Sequence, residues 1–258
     1  MADSCVKHDW NGGTTMKNVL LHHAESASGT AIALYLLQRD MRVTASFQMA
    51  SQADAFRDNL PPQWQDQVHT IVAPVIEMKA IESLVAEHAA QMQGLDLYIH
   101  GNHWVDELEE LRHNPADFAL QSYGLLHELF MYSRAAGAVM ARKQRGQIIV
   151  PMLADSLYYN GFPSSPVYNQ GALAFVKSFA KELSPFRVSV NAMTFGYFQR
   201  ENNVSTGRNQ RKAFDIYALK PPVPALEELV EGLGLLIDYG HGMSGQNTTW
   251  GYGIQSVL

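Results

Sequence analysis

Apolar residues recur along this chain with two alternating periods. Asn18 to Leu21 is a short apolar run of the kind a buried strand requires, and Thr30 to Arg39 then repeats its apolar positions every three to four residues, as a helix does. Arg42 to Phe47, Val68 to Val75, Leu95 to Ile99, Gln147 to Leu153, Arg187 to Met193 and Asn247 to Trp250 read as strands. Met78 to Met92, Pro115 to Lys143, Pro166 to Leu183 and Leu226 to Ile237 read as helices. Strands alternating with helices of this length imply βαβ units and a parallel sheet covered on both faces. Right-handed crossovers make such units into a doubly wound, Rossmann-type α/β/α fold. Ligands of that architecture lie at the carboxyl ends of the strands, where strand order reverses, so the residues there decide function.

Composition narrows the classes. The chain has 258 residues, 47% apolar and 17% charged, enough to bury a sizeable core, and no linker divides it. Residues 16–258 are expected to form one domain behind a flexible tail, residues 1–15. A net charge of -6 argues against a nucleic-acid partner, which needs basic patches. The first residues lack the apolar stretch of a signal peptide, and no run approaches the roughly 20 apolar residues of a membrane-spanning helix. The lone Cys5 forms no intrachain disulfide, which suits a reducing cytoplasm.

Several short motifs stand in a meaningful order. Lys17-Asn18-Val19-Leu20-Leu21 followed by Gly29-Thr30-Ala31-Ile32-Ala33, then Gly146-Gln147-Ile148-Ile149-Val150, are the first three. Phe175 to Leu183, Val188-Ser189-Val190-Asn191-Ala192 with Phe195-Gly196, and Ser244-Gly245-Gln246 with Gly251 and Gly253 complete the set. Together they resemble the short-chain dehydrogenase/reductase family from about Lys17 to Gly253.

The resemblance also shows substitutions. The family's Thr-Gly-x-x-x-Gly-x-Gly phosphate loop reads His22-His23-Ala24-Glu25-Ser26-Ala27-Ser28-Gly29, and only the last glycine remains. Glycines serve there because backbone amides must approach a diphosphate closely. His23 puts an imidazole in that space and Glu25 a negative charge. The second strand ends in Phe47-Gln48, without an acid for a ribose hydroxyl, and the family's Asn-Asn-Ala-Gly reads His100-Gly101-Asn102-His103. The family's Tyr-x-x-x-Lys falls on Ser165 and Asn169, its serine near Met152 or Leu153, and its helix asparagine near Leu125. A tyrosine acid needs a neighbouring cation to lower its pKa, and Asn169 supplies none. Placing Tyr168 in register pairs it with Ala172 instead.

These substitutions lead to the expectation of a chain that is no enzyme on its own, with no catalytic, cofactor or metal residues. It would bind no cofactor and would support a catalytically intact homologue that carries NAD, in a heterotetramer. Family members pair their two long middle helices into a four-helix bundle. Here those helices keep small and apolar residues such as Ala135, Ala136, Gly137, Gly171, Ala172, Ala174 and Phe175. The resemblance extends to mixed pairs of such chains acting on an alcohol borne by an acyl-CoA.

Other readings compete. Neighbouring first and fourth strands would bring His22 and His23 close to His100 and His103, with Glu25 nearby, a set able to bind zinc and support unorthodox chemistry. The favoured reading of these histidines is a plug in a vacated pocket. A third possibility is a sensing module that binds a metabolite without turnover. Tyr158-Tyr159 could supply an acid, although packing with the hydroxyl in water is the commoner role. The acidic run Asp106-Glu107-Leu108-Glu109-Glu110 reads as a solvated helix start favoured by the helix dipole. Met131 and Met140 read as core or interface.

Overall fold

The computed structural model describes residues 17–73, 77–155, 163–199 and 224–251. The expected tail, Val75, Tyr158-Tyr159 and Gly253 lie outside them.

A seven-stranded parallel sheet with the order β3-β2-β1-β4-β5-β6-β7 organises the chain. Its strands are β1 (Asn18–His22), β2 (Arg42–Phe47), β3 (Val68–Val72), β4 (Leu97–His100), β5 (Gly146–Leu153), β6 (Val188–Phe195) and β7 (Asn247–Trp250). The helices are α1 (Ala27–Gln38), α2 (Ala50–Asp58), α3 (Met78–Gln91), α4 (Glu107–His113), α5 (Pro115–Lys143), α6 (Pro166–Leu183), α7 (Leu226–Val230) and α8 (Leu233–Tyr239). This is the doubly wound α/β fold read from the sequence.

Each sheet face has its own core. Val19, Leu21, Val43, Ala45, Leu97 and Ile99 meet α1, α7 and α8 on one side. Leu20, Tyr98, Ile148, Val150, Val188 and Val190 meet α3, α5 and α6 on the other. This near-continuous burial explains why the strands read as apolar runs rather than alternations. Met131 and Met140 are buried in the second core, as expected.

The boundaries differ where a local interaction outranks periodicity. Helix α1 starts at Ala27 because Ser26 caps it, its side chain accepting from the Gly29 amide. The single helix expected over Leu226 to Ile237 is broken into α7 and α8. At the break, a Cβ on Gly232 would lie 2.4 Å from the Trp250 indole, so the ring packs directly on backbone. Helix α2 escapes the pattern because only Ala53 and Phe56 of it are buried.

Strand order reverses between β1 and β4, the site expected for a ligand. There His22 and His100 are register partners on adjacent parallel strands.

Candidate functional site

A chain of side-chain hydrogen bonds begins at Ser46 on β2 and crosses this strand-end crevice. Ser46 Oγ lies 2.6 Å from His22 Nδ1, and His22 Nε2 lies 3.0 Å from Glu128 Oε1. The other Glu128 oxygen, Oε2, is 3.0 Å from His23 Nε2. His23 Nδ1 is 2.9 Å from Glu25 Oε1, which also meets His103 Nε2 at 2.9 Å. One continuous path therefore links Ser46, His22, Glu128, His23, Glu25 and His103. Ser46, His22 and His23 are buried, Glu128 is partly exposed, and His103 at the outer end is 41% exposed.

Backbone geometry positions these groups. His23 has φ 55°, in the left-handed region that favours glycine, so the loop keeps a glycine-type turn with an imidazole on it. Gly101 approaches β1 so closely that a Cβ on it would lie 2.0 Å from the His22 carbonyl oxygen. Tyr132, one turn beyond Glu128 on α5, stacks on His22 with ring centroids 3.8 Å apart. His100 does not join the relay: its Nδ1 pairs with the Tyr98 hydroxyl at 2.8 Å, although its ring lies 5.4 Å from that of His22. The structure thus unites His22, His23, Glu25 and His103 as expected, sets His100 aside and adds Glu128.

The electrostatics separate the histidines. Burial, together with the neighbouring His23, lowers His22 to about 4. Burial and the adjacent His22 hold His100 well below its ordinary value. Burial also opposes charge on His23, but hydrogen bonds to Glu128 and Glu25 outweigh it and raise the imidazole to about 9. Burial works against ionisation of Glu25, yet bonds from His103 and His23 bring it down to about 2. Glu128 is likewise held low against burial by His22 and His23. At neutral pH the arrangement is a protonated His23 between two carboxylates, flanked by neutral His22.

Glu107 is the second departure from the sequence reading. Asp106 does cap α4, accepting from the Glu109 amide at 3.1 Å, but Glu107 is buried rather than solvated. Its carboxylate accepts from the Val167 amide at 2.8 Å, the Tyr168 amide at 3.0 Å and the Ser122 hydroxyl at 3.1 Å. A negative group there compensates the positive end of α6.

The positions matching the family's acid and base have structural partners. Ser165 donates its hydroxyl to the Val105 carbonyl, and Asn169 Nδ2 donates to the Leu153 carbonyl at 2.8 Å. Tyr168 is buried, its hydroxyl finds no hydrogen-bond partner among the described residues, and burial raises its pKa. Met152 and Leu153 are core.

A nicotinamide dinucleotide does not fit the loop as it stands. The Gly29 amide and the Thr30 amide at the start of α1 are both taken by Ser26. Glu25 and Glu128 bring two carboxylates to the space a diphosphate needs, and the His23 ring lies between them.

Comparison with known proteins supplies the relationship. The family described as short chain dehydrogenase matches residues 17–211. The 3-oxoacyl-(acyl-carrier-protein) reductase FabG of Vibrio cholerae serotype O1 is 23% identical over 198 residues, covering 76% of this chain and 80% of that protein. The solved structure described as ElxO with NADP bound superposes with a TM-score of 0.73 at 14% identity, covering 91% of this chain and 97% of that one. The last likeness speaks to fold alone. The expectation that the chain is no enzyme on its own is corrected here: the family is one of dehydrogenases, and the relative matched over most of the chain is a reductase. Loss of the motif residues does not empty the site, because the fold places other proton-bearing groups at the same strand ends. The chain belongs to the short-chain dehydrogenase family.

Proposed function

We propose that this chain is a subunit of a cytoplasmic alcohol dehydrogenase of the short-chain type built from unlike chains. In that assembly NAD is held by a homologue that retains the glycine loop and the Tyr-x-x-x-Lys pair. The carrying observation is Glu128, whose carboxylate reaches from α5 to both histidines of the loop that in the family receives the diphosphate. A second observation concerns the outside of the same helices. Leu120 and Tyr123 are 73% and 66% exposed, and Phe130 and Val167 are exposed beside them. Apolar side chains gathered on two long helices favour burial against a partner. A stable interface there would cover on the order of 2,000 Å², and the family's four-helix bundle gives its form.

For substrate, this reading takes an alcohol borne by an acyl-CoA, of which 2-(hydroxy(phenyl)methyl)succinyl-CoA in anaerobic toluene degradation is the narrowest case. The matched relative acts by name on a 3-oxoacyl group. The test is co-expression with an intact short-chain dehydrogenase from the same genome, followed by native mass spectrometry. A mixed oligomer that oxidises acyl-CoA alcohols supports the reading. A stable oligomer of this chain alone that ignores every intact homologue overturns it.

A second reading, chemistry at the histidine cluster itself, is favoured by the unbroken bond path from Ser46 to His103.

A further inference from the structure

We infer that His22, His23 and Glu128 form a binding site for one divalent ion of the zinc class. The inference stands apart from the assembly reading, because it is tested on this chain alone.

The donor set comes first. His22, His23 and Glu128 each offer one ligand atom, all within 4.8 Å of one another. Two imidazoles and a carboxylate are the ligands of a three-residue zinc site, which leaves a fourth position open. Both histidine-to-carboxylate separations are 3.0 Å. Ligands about 2.0–2.1 Å from a tetrahedral ion lie roughly 3.3 Å apart. An entering ion displaces the protons now shared between the partners and draws together three donors that already lie within 4.8 Å of one another.

The support around the donors is the independent sign. Metal-binding imidazoles are held by a hydrogen bond at their other nitrogen, often to a carboxylate. Here both supports exist. His23 Nδ1 faces Glu25 Oε1 at 2.9 Å and His22 Nδ1 faces Ser46 Oγ at 2.6 Å, leaving both Nε2 atoms toward Glu128. Stacking on Tyr132 fixes the plane of His22.

Charge and an orphaned atom point the same way. Glu25 and Glu128 place two carboxylates in the crevice, and among the described residues only histidines lie within ion-pair distance of them. A dication balances that charge without demanding protons. Glu25 Oε2 is buried without a hydrogen-bond partner among the described residues, on a side chain only 4% exposed. A buried acceptor left unpaired is costly unless positive charge lies near. Imidazole with carboxylate selects zinc, cobalt or nickel over magnesium or calcium, which prefer all-oxygen shells. Glu128 is 21% exposed and marks the entry side.

A second set, His23, Glu25 and His103, shares His23 and competes for the ion. The first set is preferred because its histidines are both buried and both supported.

The test uses chelator-treated full-length chain titrated with Zn²⁺ by calorimetry and with Co²⁺ by visible absorption. Expected are one ion per chain and tetrahedral cobalt bands. Glu128→Gln, which keeps the side-chain shape, and Ser46→Ala, which removes a support, should each weaken binding by about 10–100-fold. His103→Asn should retain it, as should His69→Gln outside the cluster. Binding that is substoichiometric in the wild type, or unchanged in Glu128→Gln, overturns the site. Loss in His103→Asn with retention in Glu128→Gln places the ion in the other set and also overturns it.

Discussion

Glu128 holds one carboxylate oxygen 3.0 Å from His23 Nε2, and this bond ties the long helix α5 to the loop that follows β1. The other oxygen makes the same distance to His22. One side chain therefore bridges two histidines where the strand order reverses, and its removal should be felt in stability as well as in binding.

Glu128→Ala leaves two buried imidazoles without their shared acceptor. A buried group that loses its partner costs about 1–3 kcal/mol. Urea unfolding at neutral pH should show that loss, and Glu128→Gln, which keeps an acceptor, should lose less. Equal stability of Glu128→Ala and wild type would mean that the network carries no weight.

Glu107→Ala should destabilise by a similar amount, about 1–3 kcal/mol, through the start of α6. The amides of Val167 and Tyr168 lose their acceptor. Hydrogen exchange read at those two amides should accelerate while the centre of the helix is unchanged.

Tyr168→Phe removes a buried hydroxyl that has no partner among the described residues. Deleting an unsatisfied polar atom at constant shape is close to neutral or stabilising. The melting temperature should hold or rise. A clear fall would mean that the hydroxyl has a partner in solution.

Asp155 provides a pH test away from the histidines. Burial raises its pKa above the ordinary 3.8, against hydrogen bonds from Asn169, Ser165 and Ser164 that pull it down. A raised folded-state value means that its favourable contribution is full below the unfolded pKa and is lost as pH rises through the folded one. The ionised form is the strained one. Asp155→Asn, which keeps an oxygen for the Ser165 amide, should therefore gain stability relative to wild type as pH goes from about 4 to about 7. Urea midpoints across that range check the sign, and a mutant-minus-wild-type stability difference that falls as pH rises contradicts it.

The fold was legible in the sequence because fully buried parallel strands leave apolar runs and the helices between them leave a 3.6-residue period. Arg42–Phe47, Pro115–Lys143 and Pro166–Leu183 match their observed bounds for that reason, and Asn247–Trp250 matches through its β-branched and aromatic residues although it is largely exposed. The site was legible only in part. His22, His23, Glu25 and His103 follow from the order of β1 and β4, since each ends a strand or begins the loop after one. Glu128 comes from a helix distant in sequence, and no local pattern ties it to the loop. Its signal was an acid set among Leu125, Leu126 and Leu129 on a helix that packs on the sheet. Glu107 hid in an acidic run whose other members are surface groups, because burial of one carboxylate depends on where the α6 amides end up.

Phe130→Glu tests the apolar helix face. A charge at the centre of a buried interface is strongly unfavourable, whereas on a solvated face it is nearly neutral. Analytical ultracentrifugation of the assembled protein should show dissociation, with the circular dichroism of the chain unchanged.

Calorimetric titration of the purified chain with NAD and NADP tests most directly whether its own imidazole and carboxylates have taken the diphosphate's place. The expected result is no saturable heat up to about 1 mM, a limit that corresponds to about 4 kcal/mol of binding free energy. Saturable binding of either dinucleotide at micromolar concentration would contradict it.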